Sequence, residues 1–137
     1  MASTQVQGEI AAPVDEVWKV VSDFGGFLEA QGIPVEVEGE GIGTLRKVTL
    51  GTAVIVERLE SIDDETRSTS YSIVEGPMPA TGYVSTIRLE PAGESATRID
   101  WSSTFEPAGG MSDSDVSELL AGVYRSGIRG LQKHFGG

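Results

Sequence analysis

Residues Ser112–Phe135 read SDSDVSELLAGVYRSGIRGLQKHF, the longest run of helical period in the chain. Val116, Leu119, Leu120, Val123, Gly127, Ile128, Leu131 and Phe135 recur at steps of three and four and predict one apolar stripe. Ser112 followed by Asp115 has the form of a capping box, and Asp113, Asp115 and Glu118 suit the positive end of a helix. Arg125, Arg129 and Lys133 suit the negative end. Gly122, Gly127 and Gly130 are unexpected, because each glycine costs about 1 kcal/mol relative to alanine in a helix interior. Either close packing against a sheet or room for a guest must offset that cost.

Such a stripe needs a partner, and the preceding residues supply one. From Val35 the period changes to two. Val35 and Val37 begin a strand, followed by a turn at Gly39, Gly41 and Gly43. That turn lacks the lysine and the following helix of a phosphate cradle, so it reads as a tight connection. Strands are predicted over residues 43–50, 53–61, 67–75, 82–90 and 96–106, joined by Leu50-Gly51-Thr52, Asp63-Asp64-Glu65 and Pro91-Ala92-Gly93-Glu94. Hairpin-length connections imply an antiparallel meander. The sheet must cover its apolar face, and the last helix is the cover available.

The N-terminal part completes the layout. Val6, Gly8 and Ile10 alternate with Gln5, Gln7 and Glu9, a half-buried strand. Pro13, Asp15 and Glu16 then favour a helix start, and Val14, Val17, Trp18 and Val21 give it a stripe. Phe24-Gly25-Gly26 breaks that helix, and residues 27–31 predict a short second one. The expected class is α+β: one strand, two short helices, a run of antiparallel strands and a long C-terminal helix, all in one domain over residues 1–137.

Composition narrows the function. The chain of 137 residues carries a net charge of −11, which disfavours nucleic acid and anionic membranes as partners. It has no cysteine, so disulfides, thiolate catalysis and thiolate metal sites are excluded. One histidine, His134, cannot build a histidine metal site. No recognisable metal, flavin or nicotinamide site is present, and no cofactor is expected. No secretory leader and no apolar run of the roughly 20 residues that span a bilayer are seen, so a cytoplasmic location is expected. Oligomeric state is not legible.

Alternation places side chains on faces. Ile99, Trp101 and Phe105 point inward, as do Tyr83, Ile87 and Leu89, and Tyr71 and Ile73. Two strands break the rule. Ile55 and Leu59 bracket Glu57, and Val48 shares a face with Arg46. The opposite parity is equally regular for the first of these strands, because Val54 and Val56 are also apolar. If both charges face inward, they form a buried pair, since a lone buried charge is too costly. Such a carboxylate is a candidate acid or base, Arg46 a candidate oxyanion holder, and Tyr71 and Tyr83 candidate hydroxyl donors. The tyrosines read equally well as packed aromatics with satisfied hydroxyls.

Ala12-Pro13 to Trp18, Ser22-Asp23-Phe24-Gly25-Gly26, Gly43-Thr44-Leu45-Arg46, Glu57-Arg58-Leu59, residues 71–76 and residues 83–87 together resemble the SRPBCC group, the START-like polyketide cyclase/dehydratase superfamily. The resemblance spans nearly the whole chain. It implies a helix-grip fold, with a curved sheet wrapped around the C-terminal helix and an apolar cavity between them. The segments around Arg46, Glu57 and Tyr83 are also similar to the plant lachrymatory factor synthases, which rearrange a small sulfenic acid. That similarity implies the inward parity, with Arg46 and Glu57 as catalytic pair and Tyr71 and Tyr83 as pocket tyrosines. Ala30 stands where many relatives carry a tryptophan, so substrate identity does not transfer.

On this fold the pocket wall is expected from three sources. Ile55, Leu59, Ile73 and Trp101 come from the strands, and Leu120, Tyr124 and Gly127 from the helix. Phe24, Phe27 and Leu28 form one lip and Met78, in the stiff Pro77-Met78-Pro79 loop, the other. The expected function is a small cofactor-independent enzyme acting by proton transfer on an apolar or polyketide-like molecule, in a cyclisation, dehydration or isomerisation. The alternatives are a carrier or sensor of an apolar ligand, and an interaction module without a ligand. Fold alone does not choose among them.

Overall fold

A computed structural model describes residues 2–77 and 80–136 of the chain. Its elements are β1 (Ala2–Ile10), α1 (Val14–Val21), α2 (Gly26–Glu29), β2 (Val35–Glu38), β3 (Leu45–Leu50), β4 (Ala53–Asp63), β5 (Ser68–Glu75), β6 (Ala80–Pro91), β7 (Thr97–Pro107) and α3 (Asp113–His134). The strands form one antiparallel sheet in the order β1-β7-β6-β5-β4-β3-β2. Consecutive strands from β2 to β7 pair as hairpins, and β1 closes against β7. Helices α1 and α2 bridge from one edge strand to the other. The helix-grip expectation is met: the curved sheet holds α3 on its concave face, chiefly over β1 and β7.

Helix α3 begins at Ser112, whose Oγ accepts the Asp115 amide at 3.2 Å. Val116, Leu120, Tyr124, Gly127, Ile128 and Leu131 are buried along it. Leu119 and Val123, expected in the same stripe, are each 46% exposed. The buried row is narrower than the apolar pattern, and Tyr124 belongs to it instead. The three glycines divide between the two expected explanations. A Cβ on Gly127 would sit 2.5 Å from a Trp101 ring carbon, and one on Gly130 would sit 2.8 Å from Gln31 Cγ. A Cβ on Gly122 would meet nothing within 4 Å.

The sheet face follows alternation. Ile99, Trp101 and Phe105 on β7, Tyr83, Ile87 and Leu89 on β6, and Tyr71 on β5 are all buried. The Gly39–Gly43 turn uses φ of +97°, +68° and +91° at its three glycines, a region that favours glycine. Strand β4 is irregular, with register shifts between Val56 and Glu57 and between Leu59 and Ser61. Helix α1 buries Val17, Trp18 and Val21 and is tied to the β4–β5 turn. Trp18 Nε1 donates to Asp64 at 2.9 Å, and Arg67 donates to Asp15 at 2.9 Å. This fixes α1 against the β4–β5 turn, and α2 packs on α1.

Candidate functional site

Between α2, α3 and strands β3 to β7 lies a cavity of about 440 Å³, a size suited to a small organic guest. Its wall is mostly apolar. Of the expected residues, Phe27, Leu28, Ile55, Ile73, Trp101, Leu120, Tyr124 and Gly127 line it, together with Arg46, Glu57, Tyr71 and Tyr83. Met78 lies outside the described residues. Phe24 and Leu59 do not line the cavity. Phe24 packs behind Arg46 instead, and Leu59 is buried farther along β4 beside Tyr71. Gly122, one of the glycines read as leaving room for a guest, also lines it, as do Gln31, Ile33, Val48, Leu119, Val123 and Ser126, which were not expected to. The half-exposed Leu119 and Val123 thus border the cavity rather than the core.

Arg46 and Glu57 stand directly opposite each other in the β3–β4 register. Their side chains are only 3% and 13% exposed, so β4 takes the inward parity. Arg46 Nε donates to Glu57 Oε1 at 2.8 Å, and Nη1 donates to the Phe24 carbonyl at 2.8 Å. The guanidinium carbon lies 3.9 Å from the Phe24 ring centre and 4.7 Å from that of Tyr71. A buried cation is tolerable here because a carboxylate neutralises it and two ring faces add attraction. Among the described residues, Nη2 of Arg46 and Oε2 of Glu57 take no hydrogen bond. Both residues line the cavity, so the pair can present a donor and an acceptor to a guest.

A cluster of hydroxyls adjoins the pair. The Tyr83 and Tyr124 hydroxyls hydrogen-bond to each other. Trp101 Nε1 donates to Ser85 Oγ at 2.9 Å and more weakly to the Tyr71 hydroxyl at 3.3 Å. Ser85 Oγ donates in turn to the Ser102 carbonyl at 3.1 Å. The Trp101 and Tyr124 rings stack, with centres 4.7 Å apart. Ser103 Oγ is buried and makes no hydrogen bond of good geometry, although it stands near enough to Tyr124 to favour a phenolate there.

Burial pushes the acidity of all three phenols down. The Tyr71 pKa is raised far above its ordinary value, first by desolvation and then by the Glu57 carboxylate. Tyr83 is raised well above it by desolvation and the neighbouring tyrosines, and Tyr124 is raised chiefly by desolvation. At neutral pH all three are neutral hydroxyls that can donate. Ser85 and Ser103 escaped sequence reasoning, because an inward serine in an alternating strand carries no apolar signal. Their positions two residues after Tyr83 and Trp101, on the same strand face, were the available clue.

Among the described residues, no three His, Cys, Asp or Glu side chains converge as a metal site, and no helix is long and apolar enough to cross a membrane.

Known proteins share this architecture. The fold superposes on the protein XoxI from Bacillus cereus with a TM-score of 0.89 and 31% identity, covering 98% of this chain and 96% of that one. It also superposes on norcoclaurine synthase from Thalictrum flavum with a TM-score of 0.76 and 22% identity, covering 96% and 84%. In sequence the chain is similar to the abscisic acid receptor PYL6 of Arabidopsis thaliana, 24% identical over 140 residues. That match covers 91% of this chain, which spans 65% of the receptor's length. The pattern of one family matches residues 1–136, and the chain belongs to it: polyketide cyclase / dehydrase and lipid transport.

Proposed function

We propose that the protein binds a small, largely apolar carbonyl compound in the cavity and moves a proton on it without a cofactor. The observation that supports this reading best is the Arg46–Glu57 pair, buried against the cavity with Nη2 and Oε2 both unengaged. Glu57 is the acid/base. Its Oε2 takes a proton from the carbon next to the ligand carbonyl, and the electron pair of that C–H bond moves onto the carbonyl oxygen. The ion pair is neutral before the transfer. Afterwards Glu57 is protonated, so the Arg46 charge is uncompensated just as a negative oxygen forms beside it. Arg46 Nη2 and the hydroxyls of Tyr71 and Tyr83 donate to that oxygen. Return of the proton to another atom isomerises the ligand. Expulsion of a β-hydroxyl, which leaves as water with the proton held by Glu57, dehydrates it; attack of the enolate carbon on a second carbonyl cyclises it, and the new alkoxide takes that proton.

The test needs no natural substrate. Exchange of the α-hydrogens of 2-tetralone in deuterated water, followed by proton NMR, reads proton transfer directly. The wild-type protein should accelerate it. Glu57→Gln, which keeps an oxygen to accept from Arg46 Nε, should slow it by about 100-fold or more while 2-tetralone still binds. Equal exchange in wild type and variant would remove Glu57 from the role of base.

A second reading is a carrier or sensor, in which the same cavity holds an apolar ligand without transforming it. The similarity to a receptor for a small molecule favours it. On that reading 2-tetralone binds but its exchange stays at the background rate.

A further inference from the structure

The cavity does not end at its mouth. A second cleft continues from it along the C-terminal half of α3, and the two share Gln31, Ile33 and Ser126. Arg129 and Lys133 line this outer cleft, with Gly130 between them. Ser126, Arg129 or Gly130, and Lys133 follow helical spacing, so the shared serine and the two cations fall on one side of α3, spread over about 10 Å. Gly130 keeps the floor low, because a Cβ there would press on Gln31.

The charge is out of character for the chain. The net charge is −11, and most of the cations have carboxylate partners. Lys19, Arg46, Arg58, Arg67, Arg98 and Arg125 are each ion-paired. Lys47, Arg88, Arg129 and Lys133 make no ion pair among the described residues, and of these four Arg129 and Lys133 line the cleft that adjoins the cavity. Their place near the end of α3 suits the helix dipole. It does not account for their sharing a cleft continuous with an apolar cavity.

Arg46 cannot serve a permanently anionic ligand in the same way, because Glu57 already balances it and would repel the newcomer. A ligand with a full negative charge is accommodated when its apolar part fills the cavity and its anionic group lies outside, between Arg129 and Lys133. We propose that the ligand class is an amphipathic molecule ending in a carboxylate or phosphate, read at the cavity mouth by Arg129 and Lys133. This rests on the cavity-binding reading above and adds an anion site to it.

The test compares decanoate, decyl phosphate and 1-decanol as displacers of the neutral dye N-phenyl-1-naphthylamine at low salt. The wild-type protein should bind both anions about five- to tenfold more tightly than the alcohol, and the preference should fall as salt is added. In Arg129→Gln/Lys133→Gln the preference should vanish while 1-decanol binds as before, which also shows that the variant is folded. Carboxylate and phosphate arms of unequal strength show which headgroup fits. Anions bound no better than the alcohol by the wild type, or a preference that survives in the double variant, would overturn the anion site and leave the cavity reading standing. Failure of the dye and of 1-decanol to bind at all would overturn both.

Discussion

Arg46 and Glu57 are cross-strand neighbours joined by a 2.8 Å hydrogen bond, and both side chains are nearly sealed from water. Removing one partner strands the other. Glu57→Leu leaves the guanidinium with only the Phe24 carbonyl and two ring faces, and should destabilise the fold by about 3 kcal/mol. The double variant Arg46→Met/Glu57→Leu should recover most of that loss, because matched apolar groups need no compensation. Urea denaturation of the three proteins measures it. A double variant less stable than Glu57→Leu would contradict the pairing argument.

The α3 glycines give opposite signs. Gly127→Ala drives a methyl to 2.5 Å from Trp101, whose ring is held by its stack on Tyr124, and should cost about 1–3 kcal/mol. Gly122→Ala meets nothing, and should gain up to about 1 kcal/mol from helix propensity alone. Thermal unfolding of both variants checks the contrast.

The three tyrosines of the chain, Tyr71, Tyr83 and Tyr124, all sit in the cavity wall with raised pKa values. In the unfolded chain they ionise near pH 10. The folded state holds these protons more tightly than the unfolded state does. The stability they contribute is therefore full below about pH 10 and is lost as pH rises through the folded values. An ultraviolet titration at about 295 nm should show little tyrosinate in the native protein at pH 10. Its appearance at higher pH should track loss of helical signal. A normal titration curve in folded protein would contradict the burial of the cluster.

Ser85 and Ser103 test the hydroxyl network. Ser85→Ala deprives Trp101 Nε1 of its 2.9 Å acceptor and leaves only the longer contact to Tyr71, so a loss of about 1–3 kcal/mol is expected. Ser103→Ala removes a buried hydroxyl that makes no hydrogen bond of good geometry and should be neutral or slightly stabilising. Chemical denaturation distinguishes the two.

Much of this molecule was legible before its structure. Strand alternation placed Trp101, Tyr83 and Tyr71 on the inner face, and helical period located α3, because burial of one face leaves a regular trace. The parity of β4 was not legible from residues alone. Val54, Ile55 and Val56 are all apolar, and β4 changes register beside Glu57. The resemblance to a known family supplied the inward choice. Leu119 and Val123 misled for the complementary reason: a residue beside a cavity is as apolar as one in the core. Phe24 was expected to line the pocket, yet its ring supports Arg46 from behind, a relation between distant segments that no local period encodes. The outer cleft was hidden because Arg129 and Lys133 also suit the end of any helix.

The most direct test is a crystal structure of the protein soaked with 2-tetralone. The ring should lie among Ile55, Ile73 and Leu120, with the carbonyl oxygen within hydrogen-bond distance of Arg46 Nη2 or a tyrosine hydroxyl, and an α-carbon near Glu57 Oε2. A ligand bound only on the outer surface, or one held in the cavity with its carbonyl turned away from Arg46 and Glu57, would contradict it.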